Sequence, residues 1–337
     1  MANEHLSELE ISGFKKFENL TVDKIGLFNL IIGDNNVGKT SLLEALLIHP
    51  NKDKSLESLA NIIYHVRKFK YLNGFFLSHF FSDTDNVFPQ KMFFKQIKAD
   101  KSFYSIKYEK TNTTTYSVIA RKDIDVTDTK TIDPIQYSNA VEGQDISLNV
   151  PFIPFGSLYS HELTQQYSNN IQLFVDKKEK LLESLSHIIK NIKNIEVNAS
   201  YSNSPMLLIS ESGKNKLSPL ATYGDGSVKL FRILLSLFSN DHYNRLMIDE
   251  LDAGVHYSRL KDFIKSLLII AKEQKKQIFA TSHSKECIEA YTLALREIGY
   301  ESDARIIKLA ETKSGIKSYT MLFEEFEKAL IAESEIR

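Results

Sequence analysis

Apolar positions follow two periods along the 337-residue chain, with a differently patterned stretch between its ends. Residues 7–13 (SELEISG) alternate polar and apolar, the period of a half-buried strand. GLFNLIIG at 26–33 is a short apolar run closed by glycine and predicts a buried strand. KTSLLEALLI (39–48) predicts a helix stopped by His49-Pro50, and residues 55–70 also read as helical. In the last third the two periods alternate. VKLFRILLSLF (228–238) predicts an apolar helix, RLMIDE (245–250) a buried strand, and RLKDFIKSLLIIAKEQ (259–274) a second helix. KQIFATS (276–282) then predicts a strand and residues 284–296 a helix. Strand–helix–strand–helix order predicts a parallel sheet covered by helices. The first buried strand lies at the other end of the chain, so both ends are expected to build one sheet.

The middle has shorter periods. KMFFKQIK, SFYSIKYEK and TTYSVIARK, between about 91 and 125, predict an antiparallel meander. Residues 126–150, rich in Asp, Thr, Asn and Gly, read as loop. QLFVDKKEKLLESLSHIIKNI (172–192) has helical periodicity, with Leu181, Leu185, Ile188 and Ile192 on one face. PMLLIS (205–210) predicts one strand of a hairpin. The expected organisation is a lobe over 1–74, a β-rich insertion over 75–170, and a helical part with the second lobe over 171–337, all one composite α/β domain.

Composition narrows the class. Forty-two basic against 43 acidic residues give a formal net charge of −1, so a general basic coat for nucleic acid is excluded. Any DNA contact must be local, at clusters such as Lys177-Lys178 or Lys190–Lys193, where solvated helix faces are the simpler explanation. The single cysteine, Cys287, precludes an internal disulfide and fits a reducing compartment. It is expected as a packed thiol. No signal-peptide pattern or membrane-length apolar run is present, so a cytoplasmic protein without membrane association is expected. His161, His187 and His256 lack Cys or His partners at zinc-ligand spacing, so no zinc site is expected.

The chemistry gathers in short motifs. Gly33-Asp34-Asn35-Asn36-Val37-Gly38-Lys39-Thr40 fits G-x-x-x-x-G-K-[ST], follows a strand and opens a helix that continues through Ser41. Glycines let the backbone wrap a phosphate chain, and N–H groups at the helix start point at it. Lys39 is expected on the β- and γ-phosphates of ATP and Thr40 on Mg²⁺. Asp249, ending its strand, is expected beside the same metal. Glu250 follows as candidate general base toward the attacking water. Leu251-Asp252-Ala253-Gly254 comes next. His283 ends the following strand, where an imidazole reaches the γ-phosphate edge. Gly224-Asp225-Gly226-Ser227 opens a helix and is a further candidate anion site. NKDK at 51–54 only superficially resembles a guanine-specificity motif and is expected as a linker, which disfavours a small GTPase or nucleoside kinase.

These pieces together resemble ATP-binding-cassette ATPases, within the branch holding the structural-maintenance-of-chromosomes and overcoming-lysogenisation-defect proteins. LEISGFKKF (9–17) is similar to that branch's first strand and GDNNVGKTSLLEAL to its Walker A motif. Asp249-Glu250 resembles Walker B, Leu251-Asp252 the D-loop, His283 the switch histidine, and Gly224–Ser227 the signature loop. A hairpin near 307–320 followed by FEEFEKALIAESEIR is similar to stand-alone ATPases of this branch, many of them encoded beside a nuclease in bacterial anti-phage systems.

The resemblance implies a P-loop fold, ATP and Mg²⁺ as ligands, and catalytic roles for Lys39, Glu250 and His283. It implies nucleotide contacts from Gly33 to Ser41, Gly224 to Ser227 and Asp252. It further implies a homodimer or higher homo-oligomer, in which the signature loop of one subunit closes on the ATP of the other. Departures are visible: Gly224 replaces the signature serine, and there is no heptad run for a coiled-coil arm. The Q-loop glutamine has no assigned position, with Gln90 and Gln96 as candidates. Residues 284–337 are too few for an appended topoisomerase–primase-type nuclease, so a nuclease effector is expected as a separate chain. The competing expectation is a DNA-binding clamp for repair or chromosome handling.

Overall fold

The computed structural model describes residues 5–47, 91–96, 103–110, 116–122, 125–132, 152–155, 161–187, 189–198, 205–238 and 244–332. Strand β3 (Phe28–Ile32) is buried at every position and forms the middle of the molecule. It lies between β13 (Gln277–Thr281) and β14 (Ala304–Thr312), parallel to both. The full six-stranded order is β15-β14-β3-β13-β12-β8. Here β12 is Arg245–Ile248, β8 is Phe152–Ile153, and β15 (Gly315–Leu322) closes one edge antiparallel to β14. The two ends of the chain thus share one sheet, as the alternating pattern predicts.

Period-2 geometry sends the side chains of β3 to two different cores. Phe28, Leu30 and Ile32 join a cluster built with helices α4 (Asp225–Phe238), α5 (Tyr257–Glu273) and α6 (Lys285–Ile298). Ile31 joins the other, with Met247, Phe279 and Ile307 from neighbouring strands and with helix α1 (Lys39–Leu47). Each such apolar side chain contributes about 1.5–3 kcal/mol by leaving water. The second core is closed by β1 (Leu6–Phe14) and β2 (Phe17–Val22), whose alternate residues Leu9 and Ile11, and Leu20 and Val22, are buried. The sheet is therefore covered by helices on one face and by α1 with an antiparallel sheet on the other.

That antiparallel sheet runs β2-β1-β4-β5-β6-β7. Strands β4 (Lys91–Gln96), β5 (Phe103–Lys110) and β6 (Tyr116–Lys122) are the meander read from the sequence. They do not stand apart, because β4 pairs directly with β1. Gln96 pairs with Leu6, at the opposite end of β1 from Phe14, whose strand partner Phe17 lies beside Gly38, and this argues against Gln96 as a Q-loop residue. One expectation is corrected: Asp125–Ile132, read as the start of a loop, is strand β7, paired with β6. Its sequence DVTDTKTI does alternate, but its Asp and Thr content imitates a turn.

Helix α2 (His161–Tyr167) runs on into a π-helical turn, Ser168–Gln172, so the boundary expected at 170 falls inside a continuous element. The boundary expected at 74, the helix expected over 55–70, Gln90 and NKDK at 51–54 lie outside the described residues. The long helix read over 172–192 is also corrected. Helix α3 (Val175–Ser186) is shorter, and Ile192 opens strand β9 (Ile192–Asn198). Asn191 breaks the pattern by taking a left-handed φ of 61°, which asparagine tolerates. Leu181 and Leu185 are buried as expected, while Ile188 lies outside the described residues. Strand β10 (Met206–Glu211) pairs with β9 and with the short β11 (Ser218–Pro219). The chain ends its described part with α7 (Phe323–Ile331).

Buried amides stitch the sheets together. The Gln277 Nε2 donates to the carbonyls of Leu6 at 2.8 Å and Gly26 at 2.6 Å, and its Oε1 accepts from the Leu6 amide at 3.0 Å. Asn29 does the same one strand over, donating to Gly26 and Ile278. Gln277→Leu would leave these backbone groups unpaired. A loss of about 2–3 kcal/mol is expected from that alone, read as a lower urea midpoint at constant m-value. An unchanged midpoint would show that the amide is not a structural tie.

Candidate nucleotide site

The C-terminal ends of β3, β12 and β13 lie at one edge of the parallel sheet, the edge where such sheets place ligands. β3 delivers Gly33–Thr40. Asp34, Asn35 and Asn36 are exposed at the loop crest, while Val37 is buried and anchors it. Gly38 takes φ 105°, and a Cβ there would stand 2.9 Å from the Phe17 ring, so both conformation and space require glycine. Lys39 is only 8% exposed. Its ammonium lies within the loop, donating to the carbonyls of Gly33 at 2.9 Å and Asp34 at 3.1 Å. Lys16, from the β1–β2 turn, donates to the Asn36 carbonyl at 2.9 Å and brings a second cation to the outer rim. Thr40 and Ser41 follow in the first turn of α1.

β12 delivers the two carboxylates. The Thr40 hydroxyl lies 3.2 and 3.3 Å from the two oxygens of Asp249. A hydroxyl and a carboxylate converging at the foot of a phosphate loop are hard oxygen donors that fit Mg²⁺. Thr281 ties this pair to the next residue: its hydroxyl donates to Asp249 Oδ1 at 2.8 Å and accepts from the Glu250 amide at 2.8 Å. Glu250 itself holds φ 49°, a conformation that costs a non-glycine residue about 1 kcal/mol. Its Oε2 meets His283 Nδ1 at 2.8 Å. His283 also lines a cavity of about 170 Å³ with Ile32, Gly33, Asp34, Asn35 and Ile288. Asp252 is held by the Ser282 hydroxyl at 2.7 Å. Lys39, Thr40, Asp249, Glu250, Asp252 and His283 are thus gathered from three strand ends.

The turn Gly224–Ser227 divides. Gly224 and Asp225 are exposed at the start of α4, whereas Gly226 and Ser227 are buried. The Ser227 hydroxyl is spent on the Tyr223 carbonyl at 3.1 Å, so it faces inward and away from a ligand. Gly226 packs backbone to backbone on Gly254 of the Asp252 loop, where a Cβ on Gly226 would fall 1.9 Å from the Gly254 carbonyl oxygen.

Sequence reasoning missed Lys229. This side chain is 2% exposed and donates to the backbone carbonyls of Asp249, at 2.8 Å, and Glu250. Burial lowers its pKa to about 8, against the upward pull of Asp249, Asp252 and Glu250. The available signal was one lysine within the apolar run SVKLFRILL, on a helix too apolar to turn it outward. Cys287 is buried as expected, and burial pushes its thiol well above the ordinary range.

A glycine loop between a buried strand and a helix, facing Asp-Glu at the end of the parallel strand next but one, defines a P-loop ATPase with an ABC-type sheet. The chain belongs to the family described as "AAA domain, putative AbiEii toxin, Type IV TA system", which matches residues 28–289. A protein of Helicobacter pylori (strain ATCC 700392 / 26695) named ATP/GTP phosphatase is 24% identical over 362 residues, covering 96% of this chain and 97% of that one. Similar folds include the Smc head bound to the C-winged helix domain of ScpA, with TM-score 0.58 and 11% identity over 96% of this chain and 99% of that chain. Another is the Smc head domain with an extended coiled coil bound to the C-terminal domain of ScpA from Pyrococcus furiosus. There the TM-score is 0.51 at 11% identity, over 98% of this chain and 99% of that one. Among the described residues no helix is long and apolar enough to cross a membrane.

Thr281→Val would release both Asp249 and the Glu250 amide. ATP turnover is expected to fall about 10–100-fold, the usual cost of removing a group that orients a ligand-binding side chain. Thr281→Ser, which keeps the hydroxyl, is expected to restore most of it in a phosphate-release assay. Full activity of the valine variant would detach Thr281 from the chemistry.

Proposed function

We propose that this chain is a regulatory ATPase whose two composite sites form when two copies pair around ATP, and whose hydrolysis reopens them. The observation that carries this reading is the Glu250–His283 contact at 2.8 Å, beside the loop that positions Lys39 and the Thr40–Asp249 pair. A carboxylate there is placed to take a proton from water attacking the γ-phosphate. His283, 60% exposed, holds that carboxylate and is free on its outer side to meet phosphate. Lys39 would leave the loop carbonyls for the β- and γ-phosphates. Thr40 and Asp249 would hold Mg²⁺, which when bound offsets phosphate charge.

The exposed start of α4 supports the shared-site part of the reading. Gly224 and Asp225 are exposed at the helix N-terminus, a surface suited to the terminal phosphate of an ATP held by a second copy. Ser227, being buried, has no part in that contact. The reader of the switch is proposed to be a separate effector, a nuclease acting in anti-phage defence. Support comes from the resemblance of the chain's ends to stand-alone defence ATPases and from a matched family whose description names a toxin system. A relative named ATP/GTP phosphatase makes GTP the second nucleotide to assay.

The test is Glu250→Gln, which keeps shape and removes the base. ATP turnover is expected to fall at least ~100-fold with ATP still bound, and the solution mass is expected to shift to a dimer or larger in ATP and Mg²⁺. Lys39→Ala should lose nucleotide binding and the mass shift together. Unaltered turnover in Glu250→Gln would reject Glu250 as base. A mass that ignores ATP in every variant would reject the shared-site switch.

A further inference from the structure

Helix α4 is fastened to the Asp249-Glu250 turn at two points. Near its start, Gly226 touches Gly254 with no room for a side-chain atom between them. One turn further on, the Lys229 ammonium donates to the carbonyls before and after the Glu250 Cα, those of Asp249 and Glu250. Glu250 needs such fastening. Its left-handed φ of 49° is a conformation that persists only where neighbours over-determine it. Thr281 holds the amide of Glu250, and Lys229 holds its carbonyl and the one before it. Between them they set where the Glu250 side chain leaves the backbone, and hence its 2.8 Å approach to His283. Burying a lysine to 2% exposure carries a desolvation cost, which its hydrogen bonds to the two carbonyls offset.

We propose that Lys229 is a positioning residue for ATP hydrolysis, holding Glu250 in its reactive orientation and tying that orientation to the exposed Gly224–Asp225 turn of the same helix. A displacement of the turn, as when a nucleotide docks on it, moves the Lys229 ammonium and with it the Glu250 backbone. The inference rests on the reading of Glu250 as general base, and its test separates the two.

The variants are Lys229→Met, of similar length without donors, and Lys229→Gln, which keeps one donor and carries the test if the methionine protein does not fold. The expected result is a fall in kcat of at least ~10-fold, with KM for ATP and the Kd of a non-hydrolysable analogue within about threefold. Single-turnover rates of Lys229→Met/Glu250→Gln are expected to equal those of Glu250→Gln alone, since residues acting through one another do not add. Unchanged kcat in both folded variants would overturn the proposal. So would a loss shared equally by kcat, analogue affinity and melting temperature, which marks a purely structural lysine. If Glu250→Gln by itself retains turnover, the base reading fails, whatever Lys229 does.

Discussion

Everything at the site depends on one strand that water cannot reach. β3 is covered on both faces and paired on both edges, so neither its register nor its direction can change without emptying two cores. Its end is therefore a fixed point, and Gly33 begins at that point. The same two-sided burial applies to β12 and β13, whose ends supply Asp249 and His283. Three strands buried in parallel bring a lysine, a hydroxyl, two carboxylates and an imidazole together from positions far apart in the chain.

Burial creates a second problem, which the polar groups solve. The edge carries Asp249, Glu250 and Asp252 within a few residues, and like charges in a shielded place repel strongly. Each is held by a different group: Thr40 and Thr281 on Asp249, His283 on Glu250, and Ser282 on Asp252. Lys229 supplies a buried positive charge that acts on all three. Burial lowers its pKa to about 8 against the pull of these carboxylates, and its hydrogen bonds go to the backbone rather than to their oxygens.

What the sequence disclosed follows from how local each feature is. The phosphate loop and the Asp249-Glu250 strand end are written in consecutive residues, and the parallel sheet in their spacing to the next helix. The antiparallel pairing of β1 with β4 joins residues as far apart as Leu6 and Gln96, in strands that alternate like any other, and no local pattern selects the partner. β7 was hidden because threonine and aspartate serve turns and strands alike. Ile192 was drawn into the preceding helix because one residue, Asn191, reverses the chain with little compositional warning. Lys229 escaped because the apolar run around it reads simply as core. Its role exists only once α4 lies against the end of β12. Gly226 and Gly254 likewise read as a cap and a loop until their backbones meet.

That last contact bears on how a shared site would work. Under the proposed reading, a helix that would offer its first amides to one nucleotide and grip the proposed base acting on another would have two ligands but one rigid axis. With Gly226 seated on Gly254, the helix start cannot shift without moving the loop that carries Asp252, and Asp252 is hydrogen-bonded to Ser282 beside His283. Any movement at the exposed turn therefore reaches the catalytic edge by two routes: through Lys229 to the Glu250 backbone, and through Gly254 and Asp252 to the strand end bearing His283. Both routes converge on the Glu250–His283 pair. In two copies paired around nucleotide, this arrangement would make each base sensitive to whether its own helix had found the partner's phosphate. Hydrolysis would then favour the closed pair over the separate chains, as a switch with distinct bound and released states requires.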